Sequence, residues 1–367
     1  MMFKKTCVSH FTTKLIIASL AASLSLESAI ACTRAMYVGP DNVVVTGRSM
    51  DWSENMNSNL WAIPRGTANN GSAGPNSIQW TSKYGSVVAT AYDIGAADGM
   101  NEKGVVANLL YLANSQFGSV ENKPTLSVTL WAQYALDNFA TVDEAVTALR
   151  AEPFRIAAPT LPNGSAASVH LSLSDPTGDS AVFEYIDGKL VIHHGKQYRV
   201  MTNEPSYDNQ LAINSYWKDV GGLNFLPGTI SPSDRFARAA FLVSALPTSL
   251  DKAYAAALPD QSLETQASLG VLGVIRAVSV PLGEGVPGKP NISSTIWRSV
   301  SDQKNKVYYF DSATSPNVFW VDLKQMDFKQ GTPVKKLTVA GGKIYAGNAT
   351  KLFEPAKLFT PLSVLPK

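Results

Sequence analysis

Short β-type segments joined by tight turn signals run through this chain and constrain its fold more than any other feature. Residues 37–38, Gly39-Pro40-Asp41-Asn42 and residues 43–46 read as strand, turn and strand. Residues 181–186, Asp187-Gly188 and residues 190–194 carry a hairpin signature, because Asp-Gly suits a two-residue turn with positive φ. Val169, Leu171 and Leu173 alternate with polar residues, which predicts a strand buried on one face. Residues 198–201, leading into Thr202-Asn203, and residues 307–310 and 318–321 are further strand segments. Helical spacing predicts helices over 127–138, 234–246 and 262–278, and Thr141-Val142-Asp143-Glu144 is a capping box opening another through about Leu149. Residues 66–77 and 283–290 are rich in loop-forming types. Hairpins outnumber β-α-β units, which favours antiparallel sheets with helices packed outside them. There is no internal repeat and no long linker, so one domain is expected over residues 32–367.

The first 31 residues read as a separate unit. Lys4, Lys5 and Lys14 make the opening basic, an apolar run spans 15–26, and Ala29 and Ala31 stand at −3 and −1 of a cut after Ala31. This is the pattern of a secretory signal peptide. The run is shorter than the ~20 apolar residues a membrane span needs, so a retained anchor is the weaker reading. Cleavage leaves 336 residues, enough for a large core. The leader holds three of the 31 basic and one of the 29 acidic residues, so the remainder carries 28 of each and no net charge. Without a basic run, nucleic-acid binding has no electrostatic support. The expected location is the periplasm or the exterior, with no membrane attachment once the leader is gone.

Cysteine usage then narrows the chemistry. Cys7 leaves with the leader, so the mature chain keeps one thiol, Cys32, directly after the cut. An exported protein is free to form disulfides, yet this one has no second cysteine to pair with. Three readings compete. A buried structural cysteine is disfavoured by the new terminus. A lipidated cysteine is loosely suggested by Ala29-Ile30-Ala31-Cys32, although Ala29 stands where a large aliphatic is usual. In the third reading, cleavage frees an α-amine that titrates near ~8 and takes the proton of its own thiol. Position alone leaves the second and third open.

The residues that follow bear on the choice. Cys32-Thr33-Arg34, then Gly47-Arg48-Ser49-Met50-Asp51-Trp52, resembles the opening of the choloylglycine hydrolase family, which contains penicillin V acylases and conjugated bile salt hydrolases. The family's Arg and Asp follow its terminal Cys at +16 and +19, and Arg48 and Asp51 stand at those offsets. A guanidinium beside sulfur favours the thiolate, and a carboxylate near the α-amine orients it. Asp98-Gly99-Met100-Asn101-Glu102-Lys103-Gly104 is similar to the family's turn before a core strand, which brings Tyr111 to an oxyanion-hole position through its backbone N–H. Thr202-Asn203-Glu204-Pro205 resembles the segment whose Asn amide completes that hole, and Asp234-Arg235-Phe236 the one with a second active-site arginine. Residues 295–310 are also family-like, so the match runs over the whole mature chain. Trp52 and Trp80 are candidates for an aromatic acyl pocket, with core packing the commoner place for tryptophan.

The resemblance implies an α+β fold, a four-layer αββα N-terminal-nucleophile sandwich of two antiparallel sheets. It also implies acyl transfer from a small-molecule amide through a thioester, and a homotetramer. Tyr111 and the exported precursor lean toward a penicillin V acylase-like substrate, with acyl-homoserine lactones as a further one and bile salts as the near alternative. A lipid-anchored periplasmic binding protein is the rival of another class. No cofactor is implied and no metal site is read. His193 and His194 are adjacent in a strand and face opposite sides, so they cannot share an ion.

Overall fold

The computed structural model of the chain describes residues 32–118, 122–285 and 293–364. Two large sheets dominate it. The first orders seven strands as Val200–Met201, Thr33–Val38, Val44–Trp52, Ser294–Asp302, Val307–Ser312, Val318–Asp322 and Gly347–Asn348. Its neighbours are antiparallel except for the last pair, which is parallel. The second orders nine strands, all antiparallel: Lys189–His194, Ser180–Ile186, Val169–Ser174, Val106–Tyr111, Gly95–Asn101, Ser86–Ala91, Leu60–Ile63, Lys335–Leu337 and Glu354–Pro355.

Helices α1 (Trp131–Asn138) and α2 (Val142–Arg150) cover the outer face of the nine-stranded sheet. Helix α3 (Tyr207–Val220) packs on α4 (Pro232–Ser244), which with α5 (Leu263–Ala277) covers the outer face of the seven-stranded sheet. The layers run α, β, β, α, as expected. The α5 contact depends on Gly47: a Cβ there would lie 2.6 Å from Val271 Cγ1 and 2.7 Å from Ile275 Cγ1, so only glycine admits the helix.

Placing sheets inside the sandwich corrects the expectation of a strand half-exposed at 169–174. Leu171 and Leu173 enter the cluster under α1 and α2, each burial contributing about 2 kcal/mol. His170, Ser172 and Ser174 face the other sheet and are equally buried. The polar alternates are satisfied within the interior: Ser174 Oγ meets Thr46 Oγ1 of the other sheet at 2.8 Å, and Ser172 Oγ donates to Asn108 Oδ1 on the neighbouring strand at 3.3 Å. An apolar/polar alternation therefore marks two different buried layers here, with no solvent face.

Local signals fared unevenly. The Asp187-Gly188 turn takes φ of 50° and 74°, as its composition demands. Thr141 Oγ1 accepts from Glu144 N at 3.2 Å, but the Glu144 carboxylate reaches back to Ala140 N, one residue before the expected partner. Ser127 ends a short strand, so α1 starts at Trp131 after a 3-10 turn. The loop at 66–77 contains the strand Ala68–Asn70, paired with Gln79–Thr81. Residues 1–31, where a leader is expected, and part of the 283–290 loop lie outside the described residues.

Candidate active site

The site begins with one hairpin. Thr33–Val38 pairs with Val44–Trp52 in the register Thr33↔Ser49 and Arg34↔Arg48, so offsets of 16 and 19 residues return the chain to Cys32. Alternation then divides the returning strand. Arg48, Met50 and Trp52 point between the sheets, whereas Ser49 and Asp51 point toward the helical side that Gly47 opens to α5.

Cys32 is 2% exposed. Its Sγ lies 3.9 Å from Arg48 Nη2, 4.0 Å from Met50 Sδ and 3.7 Å from the Asp51 carbonyl oxygen. Arg48 is itself enclosed: Nη2 donates to Leu109 O at 2.8 Å, Nη1 to Ala97 O at 3.3 Å, and the guanidinium lies 4.7 Å from the Trp297 ring centroid. Asp98, 3.9 Å away, supplies the opposing charge and accepts from Asn108 and Tyr308. Arg48 thus ties the two sheets together beside the thiol. Burial pushes the Cys32 thiol up, and Arg48 opposes that push without reversing it. The expectation that the guanidinium lowers the thiol holds for its direction of influence but not for the outcome, because desolvation is larger.

The nitrogen side is built by Asn203 and Arg235. Asn203 Oδ1 accepts from Cys32 N at 2.7 Å and from Arg235 Nη2 at 2.9 Å, while Nδ2 donates to Tyr111 O at 2.7 Å. Arg235 Nη1 donates to Cys32 O at 2.7 Å and Thr33 Oγ1 at 2.6 Å, and Nε to Ile230 O at 2.8 Å. Helix α4 presents it from its first turn, opened by Pro232 and capped by Ser231. Arg238, one turn on, turns outward and donates to the carbonyls of Pro227 and Thr229.

Asp51 differs from expectation. Its oxygens accept from Ser49 Oγ and Thr295 Oγ1, and Asn203 rather than Asp51 holds the Cys32 nitrogen. Burial raises the Asp51 carboxyl to about 6, against the pull of Arg235 and the two hydroxyls. The cause is alternation: Asp51 lies on the helical side of its strand.

An apolar pocket opens over the thiol, lined by Cys32, Met50, Trp52, Tyr92, Tyr111 and Leu161 among others. Trp52 packs edge-on to Tyr111 at 6.1 Å and donates from Nε1 to Tyr92 Oη at 2.8 Å. Trp80 is not in this lining. Its Nε1 donates to Asp137 Oδ2 at 2.7 Å and its ring meets Tyr134 at 5.2 Å, on the α1 side of the nine-stranded sheet. A strand of the small hairpin outside the sandwich carries it there. Sequence reasoning missed Thr295, Ser49, Tyr92 and Asp98. Thr295 and Asp98 lie in segments that resemble the family, but no spacing shows that they meet Asp51 and Arg48. Among the described residues no cluster of His, Cys, Asp and Glu is arranged to hold a metal ion, and no helix is long and apolar enough to cross a membrane.

Two sheets face to face between helical layers, with a cysteine at the head of the strand next to one sheet edge and an apolar pocket over its sulfur, define a hydrolase of the αββα class. The model of the linear amide C–N hydrolases, choloylglycine hydrolase family, matches residues 32–336, and the chain belongs to that family. It is 46% identical over 356 residues to a penicillin V acylase of Pectobacterium atrosepticum, covering 93% of this chain and 94% of the relative. It is 30% identical over 243 residues to a bile salt hydrolase/transferase of Clostridium perfringens, covering 59% and 72%. The solved penicillin V acylase from Agrobacterium tumefaciens matches with a TM-score of 0.82 at 49% identity, covering 91% of this chain and all of that one. The chain is a hydrolase of linear amides.

Proposed function

We propose that Cys32 is the nucleophile of a penicillin V acylase-like amidohydrolase, exported and cut after Ala31. The observation that carries this reading is the double engagement of Cys32. Its nitrogen is held at 2.7 Å by Asn203, and its sulfur faces both Arg48 and the apolar pocket. Cleavage turns that nitrogen into an amine, which takes the thiol proton as sulfur attacks the substrate carbonyl. One Asn203 amide hydrogen is used by Tyr111 O; the other, with the Tyr111 N–H, is assigned to the developing oxyanion. The ammonium returns its proton to the leaving amine, and water then releases the acid from the thioester. Arg48 favours the thiolate, Arg235 aligns the Cys32 and Asn203 oxygens, and Asp51 supports Arg235 electrostatically.

The apolar lining, with Trp52 and Tyr111 at its wall, suits an aryl or alkyl acyl group, and the two penicillin V acylases it resembles favour phenoxyacetyl amides. Acyl-homoserine lactones, whose alkyl chain the apolar lining suits, are proposed as a further substrate, and bile salt amides are the alternative. A lipid anchor would need Cys32 at the surface, and its 2% exposure favours the nucleophile reading. The test is intact mass and terminal sequencing of the secreted protein, with hydrolysis of phenoxyacetyl, acyl-homoserine lactone and glycocholate substrates. A bare Cys32 terminus with amide turnover supports the proposal; a diacyl adduct, or an active species beginning elsewhere, refutes it.

A further inference from the structure

His170 and Glu184 form a buried ionisable pair that the proposed chemistry does not use. Each side chain is 1% exposed, and His170 Nδ1 lies 2.8 Å from Glu184 Oε1. The other ring nitrogen, Nε2, lies 2.8 Å from the carbonyl oxygen of Thr202. A carbonyl oxygen only accepts, so Nε2 carries a hydrogen; the bond to Glu184 then needs a second one, which ring and carboxyl share. The second Glu184 oxygen accepts from Tyr207 N at 2.9 Å, at the first residue of α3.

Thr202 precedes Asn203, and the planar Thr202–Asn203 peptide joins the carbonyl held by His170 to the nitrogen of Asn203. Holding that oxygen fixes the plane from which the Asn203 side chain departs. His170 also pairs in register with Leu110, next to Tyr111, whose carbonyl receives the Asn203 amide. Both ends of the Asn203–Tyr111 bond are therefore referred to one rigid sheet. The following residue is anchored as well: Gln210 Nε2 donates to Glu204 O at 2.6 Å, and Glu204 Oε1 accepts from Ala113 N at 2.7 Å. For stability alone, an apolar pair of similar volume would serve a dry interior as well as an ion pair or better.

We infer that His170, held by Glu184, is a positioning residue that sets the Asn203 side chain between the Cys32 nitrogen and Tyr111. This rests on the function proposed above. Misplacing a site group by about 1 Å costs up to about 10²-fold in rate. His170→Gln keeps a donor at the reach of Nε2, whereas His170→Asn keeps one only at the reach of Nδ1. The expected result on phenoxyacetyl amide is a kcat within about 10-fold of the parent for H170Q, a loss of about 10²-fold for H170N, and KM little changed in both. Glu184→Gln, which keeps the size of the side chain, lowers kcat several-fold. Melting temperatures are measured on the same samples. Parent-like kcat in folded H170N and E184Q overturns the inference. So does a rate loss that follows the melting temperature across all three variants, H170Q included. Cys32→Ala is run in parallel: if it remains active, the nucleophile assignment has failed, and if it is inactive while H170N is normal, only the positioning role has.

Discussion

Replacing Asn203 by alanine removes three buried hydrogen bonds at once: from Cys32 N, from Arg235 Nη2 and to Tyr111 O. Two are neutral and contribute about 1 kcal/mol each; the one from the guanidinium contributes about 1.5–3 kcal/mol. The stability loss is then about 4 kcal/mol, less whatever water restores in the vacated space. Domains of ordinary stability tolerate that loss. Arg235 keeps its bonds to Cys32 O, Thr33 Oγ1 and Ile230 O, so the site does not collapse. Activity should fall much further than folding, by about 10²–10³ in kcat, because the lost donor acts on the transition state. Asn203→Asp separates the two effects. It retains an acceptor for Cys32 N and Arg235 but no Nδ2, so its kcat falls as in the alanine variant while its melting temperature falls less. The assay is steady-state hydrolysis of a phenoxyacetyl amide with thermal melts on the same preparations. A kcat within about threefold of the parent in either variant refutes the assignment of the Asn203 amide to the oxyanion.

Other outcomes test the remaining assignments. Cys32→Ala should abolish turnover, and one equivalent of a thiol reagent should inactivate a protein that begins at Cys32, since Cys7 lies in the proposed leader; mass spectrometry counts the adducts. Tyr111→Phe keeps the backbone and should alter preference among acyl groups while sparing kcat on the best substrate, as a substrate panel would show. Trp80→Phe takes a donor from buried Asp137 and should cost about 1–3 kcal/mol of stability with kcat/KM unchanged, read by melting and kinetics together. Burial raises the Asp137 carboxyl to about 7, against bonds from Trp80, Gln133 and Ser82. The native chain then holds a proton that the unfolded chain has released, so stability falls as pH rises from about 4 to about 7. The slope is about 1.4 kcal/mol per pH unit where the difference is a full proton. Asp137→Asn should flatten the melting-temperature curve over that window, and an unchanged curve contradicts the burial argument.

What the sequence determined by itself was local and serial. Asp187-Gly188 and 39–42 specify turns because few backbone shapes suit those residues, and one hairpin makes the 16- and 19-residue offsets from Cys32 meaningful. Many hairpins and few helices favoured antiparallel sheets with helices outside them, and the four-layer order came with the family resemblance. Tertiary structure decided where each alternating face went. Leu171 and His170 sit on adjacent positions of one strand, yet one meets helices and the other a second sheet, because the strand lies inside the sandwich. Likewise Asp51 meets Thr295, 244 residues away, and Trp80 leaves the pocket for Asp137. Periodicity states that two residues point apart; only packing of the layers states what each one faces.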